Sequence, residues 1–261
     1  MELVSIIMPN FNSSFFIQEA IDSVIKQSYK NWELIICDDG SNDESISIAK
    51  SYELNHDQIL VIPNKFEKGA SGARNSCLEV CNGRYIAFLD SDDIWKEDKL
   101  MFQITFMKNY GYAFTYTYHE VIDEDGNLIG EYSAPSYVDL GRMKFSNFIP
   151  CLTAVYDSKI LGKIKQPVIK KRNDFALWLS ILKMPDCKRA YCLQISCAKY
   201  RSNSYGLSSN KIDSLRFFRS CLINYAEVGK FLSFFYATSY LLLILIKKKL
   251  RPVYNFFIKK L

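Results

Sequence analysis

Four short apolar runs near the start of the chain, at 3–8, 33–37, 59–62 and 85–89, are separated by stretches with helical spacing. The runs are rich in Ile, Leu and Val and do not alternate with polar residues, which is the pattern of strands covered on both faces. Between them, Phe15, Ile17, Ile21, Val24 and Ile25 recur at helical intervals behind Ser13 and Ser14 as candidate caps. Ile46, Ile48 and Ala49 follow Asp43 and Glu44, and a third helix is expected from Ala70 towards Cys81. Strand–helix alternation of this kind implies an α/β fold with a mostly parallel sheet and right-handed crossovers. Ligands of such sheets bind beyond the carboxyl ends of the strands. Three of the runs end there in polar residues: Pro9-Asn10-Phe11-Asn12, Asp38-Asp39-Gly40-Ser41 and Asp90-Ser91-Asp92-Asp93. Three strand ends thus converge on one crevice.

Beyond Asp93 the pattern changes. A helix is expected over 97–109, an aromatic strand over 112–118, and a hairpin turn at Asp123-Glu124-Asp125-Gly126-Asn127 before a strand at 128–132. This β-rich part is expected to pack beside the parallel sheet and line the far side of the crevice. Residues 159–172 hold six Lys/Arg and no acid, with Pro167 among them, and read as a mobile basic loop; 174–183 read as a helix. No repeat or low-complexity linker interrupts the chain. One domain is therefore expected over 1–210, with halves at 1–95 and 96–210, followed by a helical tail at 211–261.

Composition narrows the chemistry. With 49% hydrophobic and 23% charged residues, 261 residues can bury a full core, so a disordered chain or a disulfide scaffold is excluded. The eight cysteines contain no CxxC pair, and Cys77 and Cys81 read as buried thiols of a helix. His56 and His119 are the only histidines, too few for a Cys/His zinc site and poor material for a Ser-His-Asp triad. The chemistry falls to carboxylates. The start of the sequence lacks the basic and apolar regions of a signal peptide, so a reducing cytoplasm and free thiols are expected. Of the net charge of +5, the stretch 211–261 carries +8 (ten Lys/Arg against Asp213 and Glu227), leaving −3 for the first 210 residues. A basic tail rather than a basic folded face argues against nucleic acid as a partner. Within the tail, 231–246 is apolar between Lys230 and Lys247-Lys248-Lys249, and Phe256-Phe257-Ile258 precedes Lys259-Lys260. A spanning helix needs about 20 apolar residues. The stretch reads instead as a helix lying on an anionic membrane surface, against the alternative of a last core helix.

In Asp90-Ser91-Asp92-Asp93, two carboxylates one residue apart after a strand can hold one hard cation and leave places for phosphate oxygens; the turn can equally cap the next helix. Asp38-Asp39 can accept hydrogen bonds from a base or ribose, or merely form a turn with Gly40. Gly69 and Gly72 open a helix and can allow close backbone approach to a nucleotide, but neither GxGxxG nor GxxxxGK[ST] spacing occurs. Asp174 is a helix cap or a general base.

The segments 5–12 (SIIMPNFN), 33–43 (ELIICDDGSND), 72–75 (GARN) and 85–95 (YIAFLDSDDIW) resemble, in order and spacing, the successive motifs of family 2 glycosyltransferases, and a weaker match runs through 173–178 (NDFALW) and Tyr200-Arg201 to Ser208-Ser209. The resemblance implies a GT-A fold, a Rossmann-like sheet with 1–95 as the nucleotide-binding half and 96–210 as the acceptor half. It also implies inverting transfer of a sugar from a nucleotide diphosphate with Mn²⁺ or Mg²⁺. Carried over, Pro9, Phe11 and Asn12 border the base, with Phe11 where Tyr is usual, and Asp38 and Asp39 lie at the uracil. Arg74 lies near base and phosphates, Asp90 at the ribose, Asp92 on the metal with Asp93 as second candidate, and Arg201 at the departing diphosphate or a closing loop. Asp174 matches the base, although its preceding partner is Asn173 rather than Glu. The chain is similar in size and in its 200–211 stretch to O-antigen enzymes. That implies UDP-glucose or UDP-galactose as donor, a lipid-linked sugar diphosphate as acceptor (β1,3 to GlcNAc or GalNAc on undecaprenyl diphosphate), and a place on the inner face of the cell membrane. Two rivals remain. A nucleotidyltransferase would carry a glycine-rich basic loop where Pro9–Asn12 stand, and a non-catalytic nucleotide-sugar binder would not need both Asp92 and Asp174.

Overall fold

A computed structural model describes residues 1–202 and 211–249, without the side chains of 211, 212 and 247–249. The Ser208-Ser209 match and the 256–260 stretch lie outside the described residues. The first half alternates as expected: β1 (Val4–Asn10), α1 (Ile17–Ile25), β2 (Trp32–Asp38), α2 (Ser45–Asn55), β3 (Ile59–Pro63), α3 (Ala70–Val80) and β4 (Tyr85–Phe88). β1 pairs in parallel with β2 and β4, and β2 with β3. Next come β5 (Ile94–Trp95), α4 (Lys99–Tyr110) and β6 (Phe114–Ile122), which folds back antiparallel onto β7 (Leu128–Tyr132) across the expected turn. The chain continues through β8 (Tyr137–Val138), α5 (Leu140–Met143), β9 (Val155–Asp157), α6 (Ser158–Leu161), α7 (Asn173–Lys183), β10 (Ala190–Arg201), α8 (Lys211–Tyr225) and α9 (Lys230–Lys249).

These strands form one sheet in the order β3-β2-β1-β4-β9-β6-β10-β5, with β7 on β6 and β8 on β10. The second half therefore extends the parallel sheet instead of packing beside it. β9 is antiparallel to both β4 and β6, and β10 is parallel to β6. One reversed strand between β4 and β6 restores the common direction, so the carboxyl ends of β1, β2, β4, β6 and β10 share one edge.

Side chains alternate across the sheet. Ile7, Ile35, Cys37, Ile86 and Phe88 face a layer that includes Cys77, Trp178 and Phe218. Ile6, Met8, Leu34, Ile36, Tyr85 and Leu89 face Ile21, Ala49 and Leu100. β3 departs from its reading as a fully covered strand: it is an edge, and only Ile59 in it is buried. Trp178 seats α7, its ring edge-on to Phe88 at 5.5 Å, 5.1 Å from Phe114, and its N–H donating to the Ile149 carbonyl at 3.1 Å.

Several local expectations change. Neither Ser13 nor Ser14 caps α1 through its side chain; the Ser13 carbonyl accepts the N–H groups of Phe16 and Ile17, both at 2.9 Å. Residues 159–172 are not a free loop, because α6 takes the first of them and Asn75 holds the middle. The Asn75 amide donates to the Gln166 carbonyl at 3.0 Å and accepts the Gln166 N–H at 2.7 Å, acting as a substitute strand partner for a residue only 2% exposed. In the tail, α9 buries Ser233 and Ala237 and sets Tyr236 against Phe145 at 5.0 Å, while its other face leaves Phe231, Leu242 and Leu245 exposed at 92%, 60% and 54%. Among the described residues no helix is long and apolar enough to cross a membrane.

Gly72 accounts for one motif without a ligand. A Cβ there would lie 1.9 Å from the Glu67 carbonyl oxygen, so the close approach is backbone to backbone within the protein, not backbone to nucleotide. Gly72→Ala is expected to lower stability by about 2–3 kcal/mol, since overpacking against backbone cannot relax by a rotamer change. A urea-unfolding midpoint equal to wild type would contradict this.

Candidate active site

The carboxyl edge collects nearly every residue singled out above. At the end of β2, adjacent residues point opposite ways. Asp38 is buried, and its carboxylate accepts from Asn10 Nδ2 at 2.8 Å, Ser41 Oγ at 2.6 Å, and the N–H groups of Gly40 and Ser41 at 3.1 Å. Its acceptor capacity is used by the turn, so it builds the loop rather than facing a ligand. Asp39 is half-buried and is oriented by Asn64 Nδ2 at 2.6 Å and the Gly69 N–H at 2.7 Å, which ties the loop after β2 to the start of α3. Gly69 has φ +123°, open only to glycine. Asn12 sits in the left-handed region at φ +49° and accepts the Asn42 N–H at 2.9 Å, joining the loops after β1 and β2. Beside it Phe11 is half exposed with Lys68 Nζ 4.8 Å from its ring centre, a stacking surface at the mouth of the crevice.

Arg74, in the first turns of α3, is 4% exposed. It forms an ion pair with Asp90 and donates through Nη1 to Gln166 Oε1 and Asn173 Oδ1, each at 3.3 Å. Burial opposes its charge, but the Asp90 carboxylate outweighs that and its pKa is raised. One guanidinium thus joins the acidic turn after β4, the pinned basic loop and the start of α7. Asn173 Oδ1 also accepts the Asp174 N–H at 2.8 Å. Asp174 accepts from Asn147 Nδ2 at 2.9 Å, and burial raises its pKa above the ordinary 3.8 against the lowering pull of Arg74 and Arg172.

The acidic turn divides its work. Burial, and then the charge of Asp90, push Asp92 up to about 6. A carboxylate disfavoured as an anion by burial and a like charge is one whose ionised form a divalent cation would stabilise. Among the described residues no three His, Cys, Asp or Glu side chains form a self-sufficient metal cage. An ion held by one or two carboxylates and completed by phosphate oxygens and water, the usual manner of Mg²⁺, needs no such cage. Asp93 does not share that place: it is 2% exposed and its carboxylate accepts the Arg201 N–H at 2.9 Å.

Arg201 departs from its expected place at the diphosphate. It is 2% exposed; Nε donates to the Asp92 carbonyl at 3.0 Å, Nη1 to the carbonyls of Asp123 and Glu124 at 3.2 and 2.8 Å, and Nη2 pairs with Glu19. Its guanidinium lies 4.7 Å from the Phe16 ring centre. With its fork taken up inside the protein, it fastens the acidic turn to the β6–β7 hairpin and to α1. Asn64, Asn147, Gln166 and Glu19 were not singled out by sequence reasoning; each is a lone polar residue whose partner is distant in the chain, and no local pattern marks it.

The carboxyl edge of the parallel strands thus carries an acidic turn that Arg74 ties to the start of α7, and the comparison with known families gives the class. The sequence model described as "Glycosyl transferase family 2" matches residues 5–163, and the chain belongs to that family. It is 41% identical over 214 residues to "UDP-Glc:alpha-D-GlcNAc-diphosphoundecaprenol beta-1,3-glucosyltransferase WfgD" of Escherichia coli, covering 82% of this chain and 83% of the relative. Two solved structures share the GT-A fold. Staphylococcus aureus TarS 1–349 in complex with UDP-GlcNAc has a TM-score of 0.68 at 19% identity, covering 92% of this chain and 72% of that one. The mannosyltransferase PcManGT from Pyrobaculum calidifontis, in complex with GDP-Man and Mn²⁺, has a TM-score of 0.66 at 14% identity, covering 91% and 69%.

The division between Asp92 and Asp93 can be measured. Burial and the charges of Asp92 and Asp90 raise the Asp93 pKa well above 3.8. Its stabilising contribution is then complete below the ordinary carboxylate pKa and is lost as pH rises through the raised value. Asp93→Asn keeps an acceptor for the Arg201 N–H without the charge and is expected to be at least as stable as wild type at pH 7. Asp93→Ala orphans a buried donor and is expected to lose about 1–3 kcal/mol in urea unfolding. Equal stability of the two variants would contradict a structural role for this carboxylate.

Proposed function

We propose that this enzyme transfers glucose from UDP-glucose to the GlcNAc of a lipid-linked sugar diphosphate, forming a β1,3 linkage on undecaprenyl diphosphate in O-antigen or other surface polysaccharide assembly. The observation that carries the substrate assignment is the 41% identity to WfgD over 82% of the chain. The likeness to TarS supports a UDP-sugar donor, since that relative binds UDP-GlcNAc. A β product from an α-linked donor requires inversion, which suits one base and a direct displacement.

In this reading Pro9, Phe11 and Asn12 border the base, and Asp39, oriented by Asn64 and Gly69, accepts from it. Asp90, already paired with Arg74, approaches the ribose, and Arg74 neutralises charge near the phosphates. Asp92 holds Mn²⁺ or Mg²⁺, for which the Mn²⁺ complex of PcManGT is the supporting precedent. When bound, the ion stabilises charge that develops on the leaving diphosphate. Asp174 accepts the proton of the attacking hydroxyl: it is half-buried, held by Asn147, and its raised pKa makes it a stronger base than a solvated carboxylate.

Asp92→Ala is expected to lower turnover at least ~100-fold, about 2.7 kcal/mol in the barrier, with the fold retained. Asp174→Asn is expected to lower kcat by ~10²–10⁴ with UDP affinity intact, because the amide keeps its hydrogen bonds but takes no proton. Wild-type kcat should fall as pH drops through the raised Asp174 pKa, so the acid limb lies above the ordinary 3.8. Normal turnover in EDTA or in Asp92→Ala removes the metal role, and normal turnover in Asp174→Asn removes the base.

The enzyme is also proposed to sit on the cytoplasmic leaflet. The outward stripe of α9 supports this, together with the Lys247-Lys248-Lys249 run that follows it in sequence. Near an anionic surface each lysine contributes about 1 kcal/mol. Phe231→Ser/Leu242→Ser/Leu245→Ser is expected to abolish sedimentation with phosphatidylglycerol vesicles while sparing activity on a water-soluble acceptor. Unchanged sedimentation of that variant would mean the stripe does not meet lipid.

A further inference from the structure

The turn of α7 that carries Asp174 is held from behind. Arg172, just before the helix, has φ +63°, a left-handed conformation that a residue with a long side chain keeps only where its surroundings hold it. Its carbonyl accepts the Ala176 N–H at 3.0 Å and so starts the helix. Its side chain reaches the C-terminal helices. Nε donates to the Ser214 carbonyl at 2.9 Å, and Nη2 donates to Ser214 Oγ at 2.7 Å and to the Tyr240 hydroxyl. The guanidinium lies 5.3 and 4.8 Å from the ring centres of Phe218 and Tyr240. On the other flank of Asp174, the fully buried Phe175 stacks on Phe218 at 5.1 Å, and Phe218 stacks on Tyr240 at 4.4 Å. Asp174 is bracketed by two residues, and both are anchored to α8 and α9.

We infer that Arg172 is a positioning residue through which the C-terminal helices hold the Asp174 carboxylate in its catalytic place. The inference rests on Asp174 being the base. Without the guanidinium fork residue 172 keeps in place only its carbonyl contacts, with the Ala176 N–H and the Cys221 thiol. The first turn of α7 is then free to unwind, and Asp174 leaves its contact with Asn147. The donor side of the crevice is built on β1, β2, α3 and the acidic turn, none of which Arg172 touches through its side chain. Asn173, in the same turn of α7, accepts from Arg74 at 3.3 Å, but Arg74 keeps Asp90 and Gln166 without it, so loss of the latch affects the reaction step far more than donor binding. The tail helices belong to the catalytic apparatus by this route whether or not α9 meets lipid.

The test uses the full chain and a water-soluble acceptor, so that membrane contact plays no part. Arg172→Gly leaves the left-handed backbone accessible and removes the latch. Its kcat is expected to fall about 10–100-fold, the scale of a misplacement on the order of 1 Å, while KM for UDP-glucose and affinity for UDP stay within about twofold. A merely structural role would move donor binding and melting temperature along with kcat. Ser214→Ala/Tyr240→Phe removes two side-chain partners of the guanidinium without altering α7, and is expected to lower kcat in the same direction at unchanged KM. A kcat within about threefold of wild type in Arg172→Gly overturns the proposal. Should Arg172→Gly lose UDP binding, the same result in the double variant overturns it. Asp174→Asn measured alongside separates the two assignments. If it retains turnover, the base fails and the latch fails with it; if it is inactive while both latch variants are near wild type, only the latch fails.

Discussion

A guanidinium taken out of water costs several kcal/mol unless well-placed acceptors meet it, and Arg74 finds acceptors for both terminal nitrogens, though not for its buried Nε, because three separate segments converge on it. Asp90 follows β4, Gln166 is brought in by the Asn75 amide, and Asn173 begins α7. Removing any one leaves a buried charge short of a partner, so the acidic turn and the helix bearing Asp174 are kept in register by the cost of letting either go. The pairing also sets the electrostatics of the crevice. Asp90 is balanced by Arg74, while Asp92, two residues on, is half-buried beside a like charge and pushed up to about 6. Two carboxylates of one turn are thereby given different environments.

The sheet was legible wherever a strand is covered on both faces, because short continuous runs of Ile, Leu and Val between helical stretches suit little else. β10 was not, although at 12 residues it is the longest of the described strands. Its burial alternates irregularly and its pairing with β6 slips between Leu193 and Ser196 and again between Ser196 and Ala198, so no period of two survives in the sequence. β9, with three residues, carries no periodicity at all.

At the site, residue types were legible and directions were not. Asp38 and Asp39 read as one acidic pair, but β2 ends at Asp38, and one carboxylate is spent on its own turn while its neighbour is held by Asn64 and the Gly69 N–H at the start of α3. Arg201 is a similar case. A charged residue at a strand end marks the site edge, yet whether its charge is free depends on Glu19, Asp123 and Glu124, which belong to other parts of the chain. Gln166 had no mark of any kind: in a stretch with six basic residues the position that reaches Arg74 is a neutral one, held by an asparagine far away in the chain.

The tail joins these threads. Small buried residues, Ser233 and Ala237, let α9 approach the domain closely, while the opposite face keeps large apolar side chains in the open at helical spacing. Scattered exposed apolar residues are ordinary, but a continuous stripe on one helix face is not. The same helix carries Tyr240 inward to Arg172, next to the start of α7. A helix with one face against the turn that carries Asp174 and the other open cannot be displaced on either side without strain reaching the other, because packed interiors transmit displacement rather than absorb it. The surface that faces outward and the turn that carries Asp174 are, mechanically, parts of one body.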